Sequence, residues 1–169
     1  MPDLNTINRA SQDEFVAALG AIFEHSPWIA AETWPARPFA SAEALHAALC
    51  ATVERAPLER KLALIRAHPD LAGKAAIAGE LTAESTREQR SAGLSALTPD
   101  EFARFTQLNT AYRERFGFPF VICAREHTKT SILASFAERL GHTDAQEVAA
   151  ALAEIAKIAR LRLADAVRE

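Results

Sequence analysis

The chain of 169 residues has the size of one ordinary domain and can bury a hydrophobic core without disulfides or a structural metal. Hydrophobic residues make up 49% and charged residues 24% of it, a balance typical of globular proteins. The formal net charge of -3 argues against a nucleic-acid binder that works through a bulk basic field, and no run approaches the roughly 18 apolar residues of a membrane-spanning helix.

Helix signals recur along the chain, whereas strand signals are nearly absent. Ser11 and Glu14 form a capping box, Ser41 can cap a second helix, and Pro57 suits the first turn of a third. Further helix starts are predicted at Thr98, Thr128 and Thr143, with ends near Gly117 and Gly141 for the first two.

The apolar periodicity predicts an all-α protein, a single compact domain over residues 1–169 with about seven or eight helices and a long C-terminal helix. Three segments interrupt the pattern. Residues 26–39 hold three prolines and both tryptophans and are expected to be an irregular loop with room for one helical turn. Residues 68–92 should contain only short helices, and residues 116–125 are apolar and aromatic with a central proline.

A histidine lies at the predicted exit of the third helix. Pro69 disfavours the helical conformation for the residue before it, so His68 is expected just past the helix end, with its side chain toward a cleft. An imidazole with a pKa near the ordinary value of about 6.5 can donate or accept a proton at neutral pH. The same position also suits a structural histidine that interacts with a helix C-terminus. Asp70 is placed to cap the next short helix.

Residues 85–94 (STREQRSAGL) bring hydroxyl, carboxylate and amide groups close together. Ser85 and Glu88 have i,i+3 spacing and would share one face of a helix. This spacing is also that of a capping box, which is the structural alternative. The functional interpretation requires the Glu88 carboxylate to point into a pocket, where it can accept hydrogen bonds from a urea or hydroxyl group.

An apolar run occupies residues 116–125 (FGFPFVICAR). Gly117 ends the preceding helix and Pro119 prevents an immediate restart, so extended backbone is expected. Buried extended backbone in a helical protein leaves N–H and C=O groups without ladder partners, and a polar ligand is one candidate partner. A buried connector satisfied by side chains or water is an equal alternative.

Motifs of several other chemistries are missing. The chain has no HExxH, no Gly-rich phosphate loop and no GxSxG, and its other histidines lack ligand-like spacing, so no metal site is expected. Cys50 and Cys123 are expected to be two reduced, buried thiols. The N-terminus lacks the features of a signal peptide and the C-terminus is not a peroxisomal tripeptide, so a cytoplasmic location is expected.

Taken in order, HPDLAGK (residues 68–74), STREQRSAGL and FGFPFVICAR resemble the motifs of the 2-oxo-4-hydroxy-4-carboxy-5-ureidoimidazoline (OHCU) decarboxylases. These enzymes catalyse the last step from urate to (S)-allantoin. The resemblance covers nearly the whole chain and implies an all-α, usually homodimeric enzyme that uses no metal or organic cofactor. Loss of CO2 leaves a carbanion that is delocalised within the substrate, so no electron-sink cofactor is required.

The resemblance also implies roles for individual residues. His68 would be the catalytic acid or base, Glu88 the key carboxylate, and Pro69 would lie beside the substrate ring. The other binding residues would be Ser85, Thr86, Arg87, Gln89, Phe120, Val121, Ile122, Cys123 and Ala124. The C-terminal arginine of the family pattern best matches Arg162, with Arg160 as the alternative.

The expected partners are therefore the small-molecule substrate OHCU and a second copy of the chain, with no nucleic acid and no membrane. Two other functions stay open from the residues alone. One is a non-catalytic helical module that binds a ureido or allantoin-like ligand, and the other is a different lyase or hydrolase that acts on another ureido compound.

Overall fold

The computed structural model describes residues 1–168, except the side chain of Ala75, and this part of the chain is helical with no strand beyond an isolated bridge. Its ten α-helices are α1 Leu4–Arg9, α2 Gln12–Leu19, α3 Trp28–Thr33, α4 Ala42–Arg55, α5 Leu58–Arg66, α6 Lys74–Ala78, α7 Ala83–Ser91, α8 Pro99–Phe116, α9 Lys129–Arg139 and α10 Asp144–Ala166. Short 3-10 helices also occur at Trp34–Ala36, directly after α3, and at Ala124–Glu126, between α8 and α9. The all-α prediction and the long C-terminal helix are confirmed. Among the described helices, none combines the length and the hydropathy of a membrane-spanning helix.

The described helices outnumber the seven or eight expected because three of them have only five or six residues. Helices this short leave little periodic signal, and packing rather than intrinsic propensity stabilises them. One of them, α3, lies in the segment expected to be mostly irregular. It begins after Pro27, whose backbone is already in the helical region.

Most predicted helix starts are confirmed by their caps. Ser11, Thr98 and Thr128 each accept a hydrogen bond from the backbone three residues on and complete a capping box. Thr143 accepts from the Gln146 N–H at 3.2 Å at the start of α10. Pro57 is the N-cap of α5 rather than its first residue. The end of α9 falls at Arg139, slightly before the predicted glycine.

Contacts divide the chain into two units. The terminal unit comprises Met1–Ala67 together with the residues from Ala156 onward, and the central unit comprises His68–Ile155. In the terminal unit, α3 packs on α2 and α4. Its largest fully buried side chains include Phe15, Leu19, Ile29, Leu45 and Leu49.

The central unit has an aromatic core. Tyr112 on α8 is fully buried, and its ring centroid lies 5.3 Å from that of Phe120 and 6.3 Å from that of Phe136 on α9. The rings of Phe120 and Phe136 stack with centroids 3.8 Å apart, and Phe105 meets Phe136 edge-on. These contacts hold α8, α9 and the extended segment after α8 together, and that segment forms part of the candidate site.

Candidate functional site

His68 lies immediately after α5 and its C-cap, as the following proline predicts. It is buried, with 6% of its surface exposed. A buried histidine at a helix exit keeps an imidazole out of bulk water while the chain turns away from the helix. The place of His68 just past the helix end is therefore confirmed, whereas the orientation of its side chain toward a cleft and its catalytic role stay predictions.

The turn after His68 is held by an amide side chain from α7. Gln89 accepts a hydrogen bond from the Ala72 N–H at 2.9 Å and donates to the Asp70 carbonyl at 3.2 Å. Ala72 has a φ of 51°, a left-handed conformation that is uncommon for alanine, so the turn needs such outside support. A Cβ atom on Gly73 would lie 2.8 Å from the Asp70 Cβ, which explains the glycine there.

Side chains from α8 fix the same turn from another direction. Asn109 donates to the Leu71 carbonyl at 2.8 Å, and Arg113 forms an ion pair with Asp70 at 2.9 Å. The Asp70 carboxylate, which the sequence suggested as a helix cap, thus pairs with an arginine of α8. Sequence reasoning missed Asn109, although a buried asparagine among the apolar positions of α8 is the kind of signal that could have marked it.

The helix α7 presents a polar face to the interior of the central unit. Ser85 and Gln89 are buried and Glu88 is half-buried, so these three share the inner face. Thr86 and Arg87 are exposed on the outer face. The structure thus brings three of the five predicted residues of this segment together and leaves the other two toward solvent.

The capping-box interpretation of Ser85 and Glu88 is wrong. The N-cap of α7 is Thr82, whose hydroxyl accepts a hydrogen bond from the Ser85 N–H at 3.2 Å. Ser85 therefore lies within the first turn of the helix, where its side chain is not needed as a cap. The polar inner face of α7 needs an explanation other than helix initiation.

The segment from Phe118 to Ala124 is buried throughout, and its rings anchor it. Phe118 and Phe120 both pack edge-on against Tyr112. Gly117 ends α8 with a φ of 75°, and the 3-10 helix begins at Ala124. The rings thus enter the aromatic core, and the backbone of residues 120–124 must find hydrogen-bond partners elsewhere.

Two charged side chains bind part of this backbone. Arg139 donates to the Val121 carbonyl at 2.7 Å, and Glu154 accepts from the Cys123 N–H at 2.9 Å. Within residues 68–155 the N–H groups of Val121 and Ile122 have no acceptor. Sequence reasoning missed Arg139 and Glu154. Arg139 interrupts the buried face of α9, a detectable signal.

The inner face of α7 and the extended segment lie close to each other in the central unit. α7 packs against the 3-10 helix Ala124–Glu126. Burial, together with the negative charges of Glu126, Glu154 and Glu88, raises the pKa of the Cys123 thiol to about 11. The Glu88 carboxylate is therefore within electrostatic reach of Cys123, whose thiol stays protonated and non-nucleophilic at neutral pH.

The C-terminal arginines belong to the terminal unit. Arg162 is buried and forms an ion pair with Glu24 at 2.9 Å, and it donates to the Ala21 carbonyl at 3.3 Å. Arg160 is exposed.

Both cysteines are free thiols, with Cys123 buried and Cys50 only half-buried.

A separate cavity of about 510 Å³ opens between α6, α7 and α8. Five of its lining residues belong to the first two motifs, namely Ala72, Thr86, Gln89, Arg90 and Leu94. The rest of its lining is mostly apolar and includes Ile77 and Phe102. Among the described residues, no group of three or more histidines, cysteines or carboxylates is arranged to hold a metal ion.

Comparison with known proteins identifies relatives along the full length. The family model described as OHCU decarboxylase matches residues 8–164. The chain is 45% identical to a 2-oxo-4-hydroxy-4-carboxy-5-ureidoimidazoline decarboxylase of Amia calva over 98% of this chain and 95% of the relative. It is 43% identical to the protein of that name in Haloferax volcanii, over 96% of this chain and 94% of the relative.

A solved structure agrees with the sequence matches. The crystal structure of an (S)-allantoin synthase superposes with a TM-score of 0.78 at 32% identity, over 99% of this chain and 54% of that one. This chain thus spans about half the length of that solved protein. From the family match and these relatives, the chain belongs to the OHCU decarboxylase family.

Proposed function

We propose that this chain converts OHCU to (S)-allantoin and CO2, with His68 and Glu88 as its catalytic residues. Family membership supports the reaction. The observation that carries the assignment of the site is the pair of hydrogen bonds in which the Gln89 side chain donates to the Asp70 carbonyl and accepts from the Ala72 N–H. They tie the turn that follows His68 to the face of α7 that carries Glu88.

The reaction does not require an electron-sink cofactor, because the substrate itself can accept the electron pair. The substrate carries a hydroxyl and a carboxylate on one ring carbon, C4, beside a C5=N bond. When the C4–carboxylate bond breaks, its electron pair forms a C4=C5 bond and the C5=N pair moves to nitrogen, which takes a proton. The C4 hydroxyl then loses its proton to become a carbonyl, and C5 gains one. In sum, the OHCU anion and one proton give allantoin and CO2.

The protein must orient the carboxylate, stabilise developing charge and deliver a proton to one face of C5. His68 delivers that proton, which sets the S configuration. Glu88 holds the ureido group or the ring hydroxyl. The N–H groups of Val121 and Ile122 stabilise developing negative charge, since the Cys123 N–H already donates to Glu154.

The remaining contacts belong to the same proposal. The ligand is surrounded by Pro69, Ser85, Gln89 and the backbone of residues 120–124, with Thr86 and Arg87 at its margin. The enzyme acts as a cytoplasmic homodimer without a metal or organic cofactor. Sedimentation of the purified protein tests the dimer: twice the mass of one chain is expected, and a monomer at micromolar concentration would contradict it.

The activity is tested by generating OHCU in place from urate with the two preceding enzymes, then following the optical activity of the allantoin formed. With the protein present, allantoin should form faster and with an excess of the S enantiomer. Formation of racemic allantoin at the uncatalysed rate would refute the proposal. If the folded protein bound (S)-allantoin without accelerating its formation, the binding-module alternative would be correct.

A further inference from the structure

The extended segment is held by charged side chains on both sides of Ile122. Arg139 on α9 donates to the Val121 carbonyl at 2.7 Å, and Glu154 on α10 accepts from the Cys123 N–H at 2.9 Å. These two backbone groups belong to the two peptide units that flank Ile122. Hydrogen bonds with one ionised partner are about twice as strong as neutral ones, so both peptide units are fixed firmly.

Arg139 is itself immobilised by a buried network. Its Nε donates to Glu147 at 2.6 Å, and its guanidinium lies 4.3 Å from the centroid of the Phe120 ring. Glu147 has no exposed surface and also contacts the Tyr112 hydroxyl and His142 Nδ1. Burying an arginine and a glutamate carries a large desolvation cost, which is more than a simple connector requires.

Peptide geometry determines where the groups of Ile122 point. The C=O and N–H of a trans peptide unit point in opposite directions, and the one cis bond among residues 1–168 is Arg37–Pro38. The Ile122 N–H therefore points away from the Arg139 bond, and the Ile122 C=O points away from the Glu154 bond. Within residues 68–155 neither group has a hydrogen-bond partner, although Ile122 is only 5% exposed.

Buried backbone groups are rarely left unpaired, so this donor and acceptor point to a ligand. We propose that Arg139 and Glu154 are positioning residues that fix the peptide units on both sides of Ile122, so that Ile122 presents its N–H and C=O to the amide-type groups of a ureide ligand. This inference rests on the proposed function and adds two residues that act through the backbone.

Glu154 offers the cleaner test. Glu154→Gln keeps an oxygen that can accept from the Cys123 N–H, whereas Glu154→Ala removes it. For Glu154→Ala we expect KM for OHCU to rise and (S)-allantoin binding to weaken, each about tenfold, with a much smaller change in kcat. Glu154→Gln should restore most of both. The matched control is Glu138→Ala, an exposed glutamate on α9, which should leave KM unchanged.

Arg139→Lys tests the other side, because lysine keeps the charge near Glu147 but loses the fork that reaches Glu147 and Val121 together. It should also raise KM and weaken (S)-allantoin binding, measured by calorimetry on protein that circular dichroism shows to be folded.

If wild-type protein produces (S)-allantoin but Glu154→Ala and folded Arg139→Lys match it in KM and product affinity, the positioning role is wrong. If Glu154→Gln is as impaired as Glu154→Ala, the charge rather than the backbone contact matters, and the inference also fails. Lack of (S)-allantoin formation by the wild type would instead refute the proposed function.

Discussion

The side chains of α7 form two sets that are expected to contribute differently to ligand binding. Ser85 and Gln89 are buried and Glu88 is half-buried, whereas Thr86 and Arg87 face solvent. Burying polar groups is costly, so an inward-facing polar set of this kind is expected where a polar ligand binds, and Gln89 also bonds the turn after His68. The inner set should therefore dominate ligand binding, with Thr86 and Arg87 contributing less.

Glu88→Gln should lower kcat/KM for OHCU by roughly 10–100-fold, because a hydrogen bond to an ionised group contributes about 1.5–3 kcal/mol. The matched control is Glu84→Gln, one turn earlier on α7, where the carboxylate pairs with Arg87 on the surface. Steady-state kinetics with both variants measure the difference. Wild-type kinetics for Glu88→Gln would remove this carboxylate from the mechanism.

The Cys123 thiol provides a prediction of pH dependence. Burial and nearby carboxylates raise its pKa to about 11, and only the thiolate reacts with iodoacetamide. In a Cys50→Ser variant, alkylation of the folded protein should be very slow at pH 8 and should still accelerate between pH 9 and pH 10.5. A rate that levels off near pH 9 would show an unperturbed thiol and contradict the placement of Cys123 beside these charges.

At the scale of elements, the start of α7 depends on one hydroxyl. Thr82 caps the helix that carries Glu88 and Gln89, and no other side chain replaces it in the described cap. Thr82→Ala should lower the free energy of unfolding by about 1 kcal/mol in chemical denaturation. Ser95→Ala, which deletes an exposed hydroxyl after the helix, should change it by only a few tenths. Equal effects of the two substitutions would contradict the capping role.

The sequence predicted those elements whose signals are local. Capping residues such as Ser11, Thr98 and Thr128 determine helix starts through contacts three residues away, so they can be recognised without a structure. Thr82 was missed because Ser85 and Glu88 match the same spacing pattern, and the pattern cannot show which hydroxyl is the cap.

Contacts between distant segments were beyond the reach of the sequence. The three motifs indicated that residues 68–74, 85–94 and 116–125 belong to one site, but not how they are joined. The links are made by Gln89, Arg139 and Glu154, whose partners lie 17–19 and 31 positions away. Such pairings depend on how helices pack, and periodicity contains no information about that.

At the scale of the whole molecule, the contact pattern separates two units, yet α10 is one continuous helix that contributes residues to both. We propose that residues 1–169 nevertheless fold as a single domain, because breaking a long helix in the middle would sacrifice several backbone hydrogen bonds. Both tryptophans belong to the terminal unit, so their fluorescence reports on that unit, while far-ultraviolet circular dichroism reports on all helices. Unfolding in urea should give coincident transitions by both probes, whereas separated midpoints would show two domains.

The proposed function requires the buried imidazole after α5 to control proton transfer at the substrate. The most direct measurement is the rate of (S)-allantoin formation by His68→Asn beside that of the wild type, with OHCU generated in place. Asparagine keeps polarity but cannot exchange a proton near neutral pH, and general acid–base catalysis contributes about 100- to 10,000-fold. The folded variant should therefore lose at least about 100-fold in kcat, with allantoin that is close to racemic. Wild-type turnover with S selectivity in this variant would exclude His68 from proton transfer.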